Sequence, residues 1–199
     1  MHEERSASLY LLRHGPAAAP PGCLLGSTDA PLSGCGLDRL NGLLPQLQGV
    51  ERWHCSPMLR ACQTLDELRR RGCRTEQLAY DERLREIDFG QWELKTFAEI
   101  AAADPSRVQA WQEEYEDFAF PSGEAVADFV GRAGKMLADL AAAGGEVGAV
   151  THGGIIRTMI CLALGLPPRN YLLFDVRPAS LTVLELFPGG SGVLRGLNL

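Results

Sequence analysis

Two histidines in this chain stand where chemistry can be done. His14 closes the run Ser8-Leu9-Tyr10-Leu11-Leu12-Arg13, His152 closes Val147-Gly148-Ala149-Val150-Thr151, and each is followed by glycine. A neutral imidazole near pH 7 is a nucleophile or a proton carrier. Two arginines keep them company: Arg13 precedes His14, and Arg60 ends Cys55-Ser56-Pro57-Met58-Leu59-Arg60. A guanidinium holds an oxyanion through a planar fork of donors. Two arginines and two histidines around one point make a site for a dianion that needs no metal. A reaction that expels an oxygen also needs a proton donor. Glu86, in Leu84-Arg85-Glu86-Ile87-Asp88-Phe89-Gly90, is the candidate, with Asp88, Glu93 and Glu124 as competitors. Glu124 reads more simply as a first-turn helix residue favoured by the macrodipole.

For these groups to meet, the strands that end in His14 and His152 must be neighbours, because ligands in open α/β sheets bind beyond the carboxyl ends of the strands. Short apolar runs read as strands at Ser8–Leu12, Glu51–Cys55, Gln77–Tyr80, Val147–Val150, Tyr171–Val176, Ser180–Leu186 and Val193–Leu197. Helical patterns lie between them. Ser33 caps a helix to Leu47, Ser56-Pro57 opens one to Arg71, and others span Gly123–Ala143 and Ile155–Leu164. This alternation predicts an α/β fold: a three-layer sandwich with a mostly parallel central sheet and helices on both faces. We read residues 1–199 as a single domain with a lid or insertion at about 84–124. Within it Trp111, Tyr115, Phe118 and Phe120 provide aromatic surface, of which at least two are expected in the core. From Phe97 to Glu124 the one basic residue is Arg107, which favours a bulky leaving group of low charge.

The formal net charge of -6 and a pI near 5.3 argue against a nucleic-acid partner. No apolar run approaches bilayer length, and Met1–Arg5 is polar, so the reading is cytoplasmic with no membrane partner. Six cysteines without a CxxC pair read as free, buried thiols.

Taken together, Leu11-Leu12-Arg13-His14-Gly15, Cys55 to Thr64, Leu84 to Gly90 and Val150-Thr151-His152-Gly153-Gly154 resemble the four signatures of the histidine phosphatase superfamily, in the family's order and across about Leu9 to Leu186. The resemblance implies a phosphoglycerate mutase-like fold and hydrolysis of a small phosphate ester through a phosphohistidine, with no cofactor and no metal. It implies that His14 is the nucleophile. Arg13, Arg60 and His152 would hold the phosphoryl oxygens, with Gly153 beside them. Glu86 would be the proton donor and then the base for water. Within the superfamily the chain is similar to the alpha-ribazole phosphatases. The marks are Ala110-Trp111, Phe120-Pro121-Ser122-Gly123-Glu124, Gly165-Leu166-Pro167 and Ala179-Ser180-Leu181-Thr182. That similarity implies removal of the 5′-phosphate of alpha-ribazole 5′-phosphate or cobalamin 5′-phosphate. A broad-specificity phosphatase or a mutase-type enzyme is the alternative, and a homodimer is left open. Two positions depart from the family pattern: Pro16 replaces its usual Glu, and Pro20 its usual Asn. Backbone N–H groups at Gly26 and Ser27 are expected to make up the missing phosphate donors.

Overall fold

The computed structural model describes residues 6–199; the polar Met1–Arg5 end lies outside them. Six strands form one sheet: β1 (Ala7–Arg13), β2 (Arg52–Cys55), β3 (Gln77–Tyr80), β4 (Gly145–Thr151), β5 (Leu181–Leu186) and β6 (Gly192–Gly196). Their order is β3-β2-β4-β1-β5-β6. The first four run parallel, and β5 and β6 add an antiparallel edge. The α/β sandwich expected from the sequence is therefore present, with β4 and β1 at its centre.

Centre strands are covered on both faces, so both faces must be apolar. Leu9 and Leu11 of β1, with Val147 and Ala149 of β4, pack on one side against α5 (Val126–Ala143) and α6 (Gly153–Ala163). Leu12 and Val150 face the other side, against α1 (Arg39–Leu43) and α2 (Leu59–Arg70). Helix α5 buries Val126, Phe129, Ala133, Met136, Leu137 and Leu140, a stripe at helical spacing that seats it on the sheet. Between β3 and α5 lie α3 (Phe97–Ala103) and α4 (Pro105–Glu113). Thr96 and Glu99 form a capping box for α3, and Asp104 caps α4 ahead of Pro105.

Four expectations need correction. The helix from Ser33 to Leu47 shrinks to α1 and a 3-10 turn over Leu44–Leu47, because Gly34 and Gly36 adopt φ of +78° and +71°. Ser56 does not cap α2: the cap position is Met58, and the first helical N–H, of Leu59, donates to Asp29 Oδ1 at 2.7 Å. Tyr171–Val176 is not a strand: Pro168–Leu173 is a 3-10 helix that leaves Leu172 and Leu173 exposed, and β5 fills the sheet position beside β1. Of the cysteines, all are free, yet only Cys55 and Cys161 are buried and Cys35 is exposed. Among the described residues no helix is long and apolar enough to cross a membrane.

Gly148, at the centre of β4, lies directly over the indole of the fully buried Trp53 on β2. A Cβ there would sit 2.5 Å from Trp53 Cε3. We predict that Gly148→Ala destabilises the fold by about 1–3 kcal/mol, the usual range for overpacking a tight core. Urea unfolding reads this directly, and an unchanged midpoint would contradict the packing described.

Candidate active site

The site begins with strand register. Arg13 on β1 is the partner of Thr151 on β4, and the next step along each strand brings His14 N–H to Thr151 O at 2.9 Å. The two imidazole rings end 5.0 Å apart, inclined at 59°. On the other side of β4, Ser56 N–H donates to Val150 O at 2.9 Å, so the chain leaves β2 at the same level. The first turn of α2 then brings Arg60 over His14.

Hydrogen bonds decide the state of His14. Its Nδ1 lies 2.7 Å from Gly15 O. A carbonyl only accepts, so Nδ1 carries the proton and Nε2 keeps a lone pair. Arg60 Nε–H points at that Nε2 from 3.3 Å. The Gly15 peptide is fixed in turn: its N–H donates to Thr64 Oγ1 at 2.9 Å, and the Thr64 hydroxyl donates to Arg60 O at 2.7 Å. Burial, then Arg60 and Arg13, push the His14 pKa down to about 3. His152 moves the same way, through burial first and then through His14, Arg60 and Arg13. Its Nε2 lies 2.8 Å from Ser56 Oγ, while its Nδ1 is buried without a partner.

Both arginines donate to carbonyls, Arg60 from full burial and Arg13 from partial burial. Arg60 is wholly inaccessible and donates to Thr28 O at 2.9 Å and Gly26 O at 2.8 Å. Arg13 Nη1 donates to Val176 O at 2.6 Å, and its Nε has no partner. Among the described residues neither guanidinium forms an ion pair with a carboxylate. Two cations, a lone pair and orphaned buried nitrogens therefore converge on one place.

Of the four carboxylates read as proton donors, Glu86 is the one at the edge of this cluster. Its Oε2 accepts Gly154 N–H at 2.9 Å, and a Cβ at position 154 would run into the carboxylate. The other three are engaged elsewhere. Asp88 accepts from Ser27 Oγ and Gly90 N–H, both at 2.8 Å. Glu93 takes N–H groups from Gly26, Ser27, Thr28 and Phe89. Glu124 is paired with Arg132 at 2.7 Å. This corrects the expectation for Gly26 and Ser27: their N–H groups already serve Glu93 and are not free donors for a phosphate. Gly153 lies next to the Arg13 guanidinium at the start of α6. Among the described residues no group of three His, Cys, Asp or Glu is placed to hold a metal ion.

A cavity of about 480 Å³ opens from Glu86 and Gly154. Phe89, Trp92, Trp111, Tyr115 and Tyr171 wall it, with Arg157 as a cation. Tyr115 and Tyr171 stack at 5.3 Å; Phe118 packs with Trp92 in the core, and Phe120 packs on Trp92 and also reaches the cavity wall. Tyr171 and Arg157 escaped the sequence reading. Arg157 lies one helical turn beyond Gly153, a spacing that would have put it on the same side of α6.

The model of the histidine phosphatase superfamily (branch 1) matches residues 9–198. A glucosyl-3-phosphoglycerate phosphatase of Mycolicibacterium vanbaalenii is 31% identical over 180 residues, 84% of this chain and 78% of that one. The alpha-ribazole phosphatase structure from Shigella flexneri is similar with a TM-score of 0.81 at 25% identity, covering 96% of each chain. The structure of phosphoserine phosphatase from Entamoeba histolytica in complex with 3-phosphoglyceric acid is similar at 0.81 and 26% identity, covering 97% of each.

Both histidines are held neutral when folded but have an ordinary pKa near 6.5 when unfolded. Below that value the unfolded chain binds more protons, so they make stability fall as pH falls. We predict that neither imidazole titrates in the folded protein between about pH 5 and 8, with His14 remaining the Nδ1–H tautomer. Nitrogen-resolved histidine NMR measures both, and a His14 midpoint near 6.5 would contradict the electrostatics described.

Proposed function

The chain belongs to the histidine phosphatase superfamily, and from that premise we propose that it hydrolyses the 5′-phosphate of alpha-ribazole 5′-phosphate, or of cobalamin 5′-phosphate, through a phosphohistidine. The observation that carries the chemistry is the pair of guanidiniums beside His14, Arg60 buried against its unprotonated Nε2 and Arg13 half-buried, neither with a carboxylate partner among the described residues. Such a pocket stabilises a phosphate dianion and the charge that develops during its transfer.

Two steps follow. The His14 Nε2 lone pair attacks phosphorus while the bond to the leaving oxygen breaks, and Glu86 gives that oxygen a proton. Water then attacks the phosphorus, Glu86 takes its proton, and the N–P bond breaks to release phosphate. Throughout, Arg13, Arg60 and His152 hold the non-bridging oxygens, with Gly153 close by; Arg13 Nε and His152 Nδ1 gain the partners they lack. Positioning and charge stabilisation supply most of what phosphoryl transfer requires.

The leaving group extends into the aromatic cavity. We read residues 84–124 as a lid over it, since Phe89, Trp92, Trp111 and Tyr115 come from that segment. Aromatic walls suit a flat base, which stacks on them. Free thiols suit a reducing, cytoplasmic setting. One observation favours a second reading: Arg157 in the cavity wall would suit the carboxylate of a phosphorylated acid, the kind of compound for which other relatives are named.

Comparison of kcat/KM for alpha-ribazole 5′-phosphate, glucosyl-3-phosphoglycerate and phosphoserine tests the assignment. We expect alpha-ribazole 5′-phosphate to be preferred. We also expect Trp111→Ala and Tyr115→Ala to weaken its binding by about 1–3 kcal/mol, the scale of a lost stacking contact, while sparing a small phosphate ester. Preference for either acid would contradict the substrate. Equal losses on every ester would make the aromatics core residues rather than a specificity wall.

A further inference from the structure

We propose that Arg132 and Glu124 are positioning residues that aim Glu86 at the leaving oxygen; this rests on the reading of Glu86 as the proton donor. Glu86 lies in a stretch of irregular backbone, between the short 3-10 helices Glu82–Leu84 and Gly90–Trp92. Carbonyls in such a stretch have no ladder to join and need partners from elsewhere. Arg132, in the second turn of α5, supplies them. Its Nη1 donates to Arg83 O at 2.8 Å and to Arg85 O at 2.6 Å, and its Nη2 donates to Glu86 O at 3.1 Å. The guanidinium is mostly buried, with its Cζ 4.8 Å from the Phe129 ring centroid.

Glu124 completes the arrangement from the other side. It receives Arg132 Nε at 2.7 Å and Nη2 at 2.9 Å as a fork-to-fork pair. Its carboxylate also accepts Asp88 N–H at 3.3 Å, and its own N–H donates to Asp88 O at 2.9 Å. Backbone groups of residues 83, 85, 86 and 88 are thus fastened from α5 and its N-terminal lead-in. Thr151 Oγ1 adds a bond to Leu84 O at 2.7 Å, tying the stretch to the strand that carries His152. Arg132 holds the Glu86 carbonyl, and the carboxylate accepts Gly154 N–H at 2.9 Å and Ile87 N–H at 3.2 Å. Because Glu124 neutralises Arg132, the clamp fixes the loop without setting a net positive charge beside the acid. A general acid misplaced by about 1 Å loses on the order of a hundredfold in rate.

The test compares an alkyl phosphate, whose leaving oxygen needs a proton, with an aryl phosphate, which departs with little help. We expect Arg132→Gln to lower kcat on the alkyl ester by about a hundredfold, with far less loss on the aryl ester and little change in KM. Glu124→Gln should lose in the same direction. In a Glu86→Gln background, Arg132→Gln should add no further selective loss, because both changes remove the same contribution. If Arg132→Gln does not fold, Arg132→Lys carries the same comparison: it keeps the charge against Glu124 and loses the fork to the carbonyls. Equal losses on both esters, or a loss that simply adds to that of Glu86→Gln, would make Arg132 a structural residue only and overturn the proposal. If Glu86→Gln itself lowers both esters alike, the proton-donor reading falls, and this proposal with it.

Discussion

Arg60 is a guanidinium with no accessible surface and no ion pair to a carboxylate among the described residues, and the site is built around keeping it there. An unpaired buried charge is tolerated only where dipoles replace water. The segment from Leu25 to Thr28 performs that service by turning the carbonyls of Gly26 and Thr28 toward Arg60. The N–H groups of Gly26, Ser27 and Thr28 go to the opposite side, where Glu93 collects them. The loop therefore lies polarised between a cation and an anion, and Glu93 compensates Arg60 at one remove. A side chain at Gly26 would collide with Ile87 O and Glu93, so the close approach of the two segments requires glycine there.

This arrangement divides the chemistry between residue types. Positive charge comes from arginines, which hold their protons under all ordinary conditions. The same charge, with burial, strips protons from His14 and His152 and leaves a lone pair on His14 Nε2. The parallel register of β1 and β4 sets the distance between the rings, the Gly15–Thr64–Arg60 chain of hydrogen bonds orients His14, and Ser56 orients His152. His14, Arg60 and the sheet are thus one mechanical unit. Most of the aromatic wall of the cavity comes from segments that follow β3 and α6, and it meets that unit at Glu86 and Gly154.

His14, His152 and Arg60 were legible because each lies at the end of a strand or the start of a helix, and such ends meet at one edge of a parallel sheet. Residues whose role depends on a distant partner were not. Nothing near Gly26 and Ser27 tells that Glu93, more than sixty residues away, takes their N–H groups. Ser56-Pro57 has the form of a helix start, yet Asp29 caps α2 and Ser56 turns to His152. Tyr171-Leu172-Leu173-Phe174 is as apolar as a strand, but its leucines are exposed and its tyrosine faces the cavity. Apolar runs of that length do not separate strand from 3-10 turn by composition alone.

The most direct test of the account is the atom that carries the phosphoryl group. Rapid quenching with a labelled substrate, followed by NMR of the trapped protein, locates the nitrogen bonded to phosphorus. With the Nδ1 proton given to Gly15 O and Nε2 unprotonated, facing only the Arg60 Nε–H, the phosphoryl group should be found on Nε2 of His14. The adduct should be acid-labile and base-stable, and absent from His14→Ala. Phosphate on Nδ1 or on another residue, or a His14→Ala protein that turns over at the wild-type rate, would contradict the account.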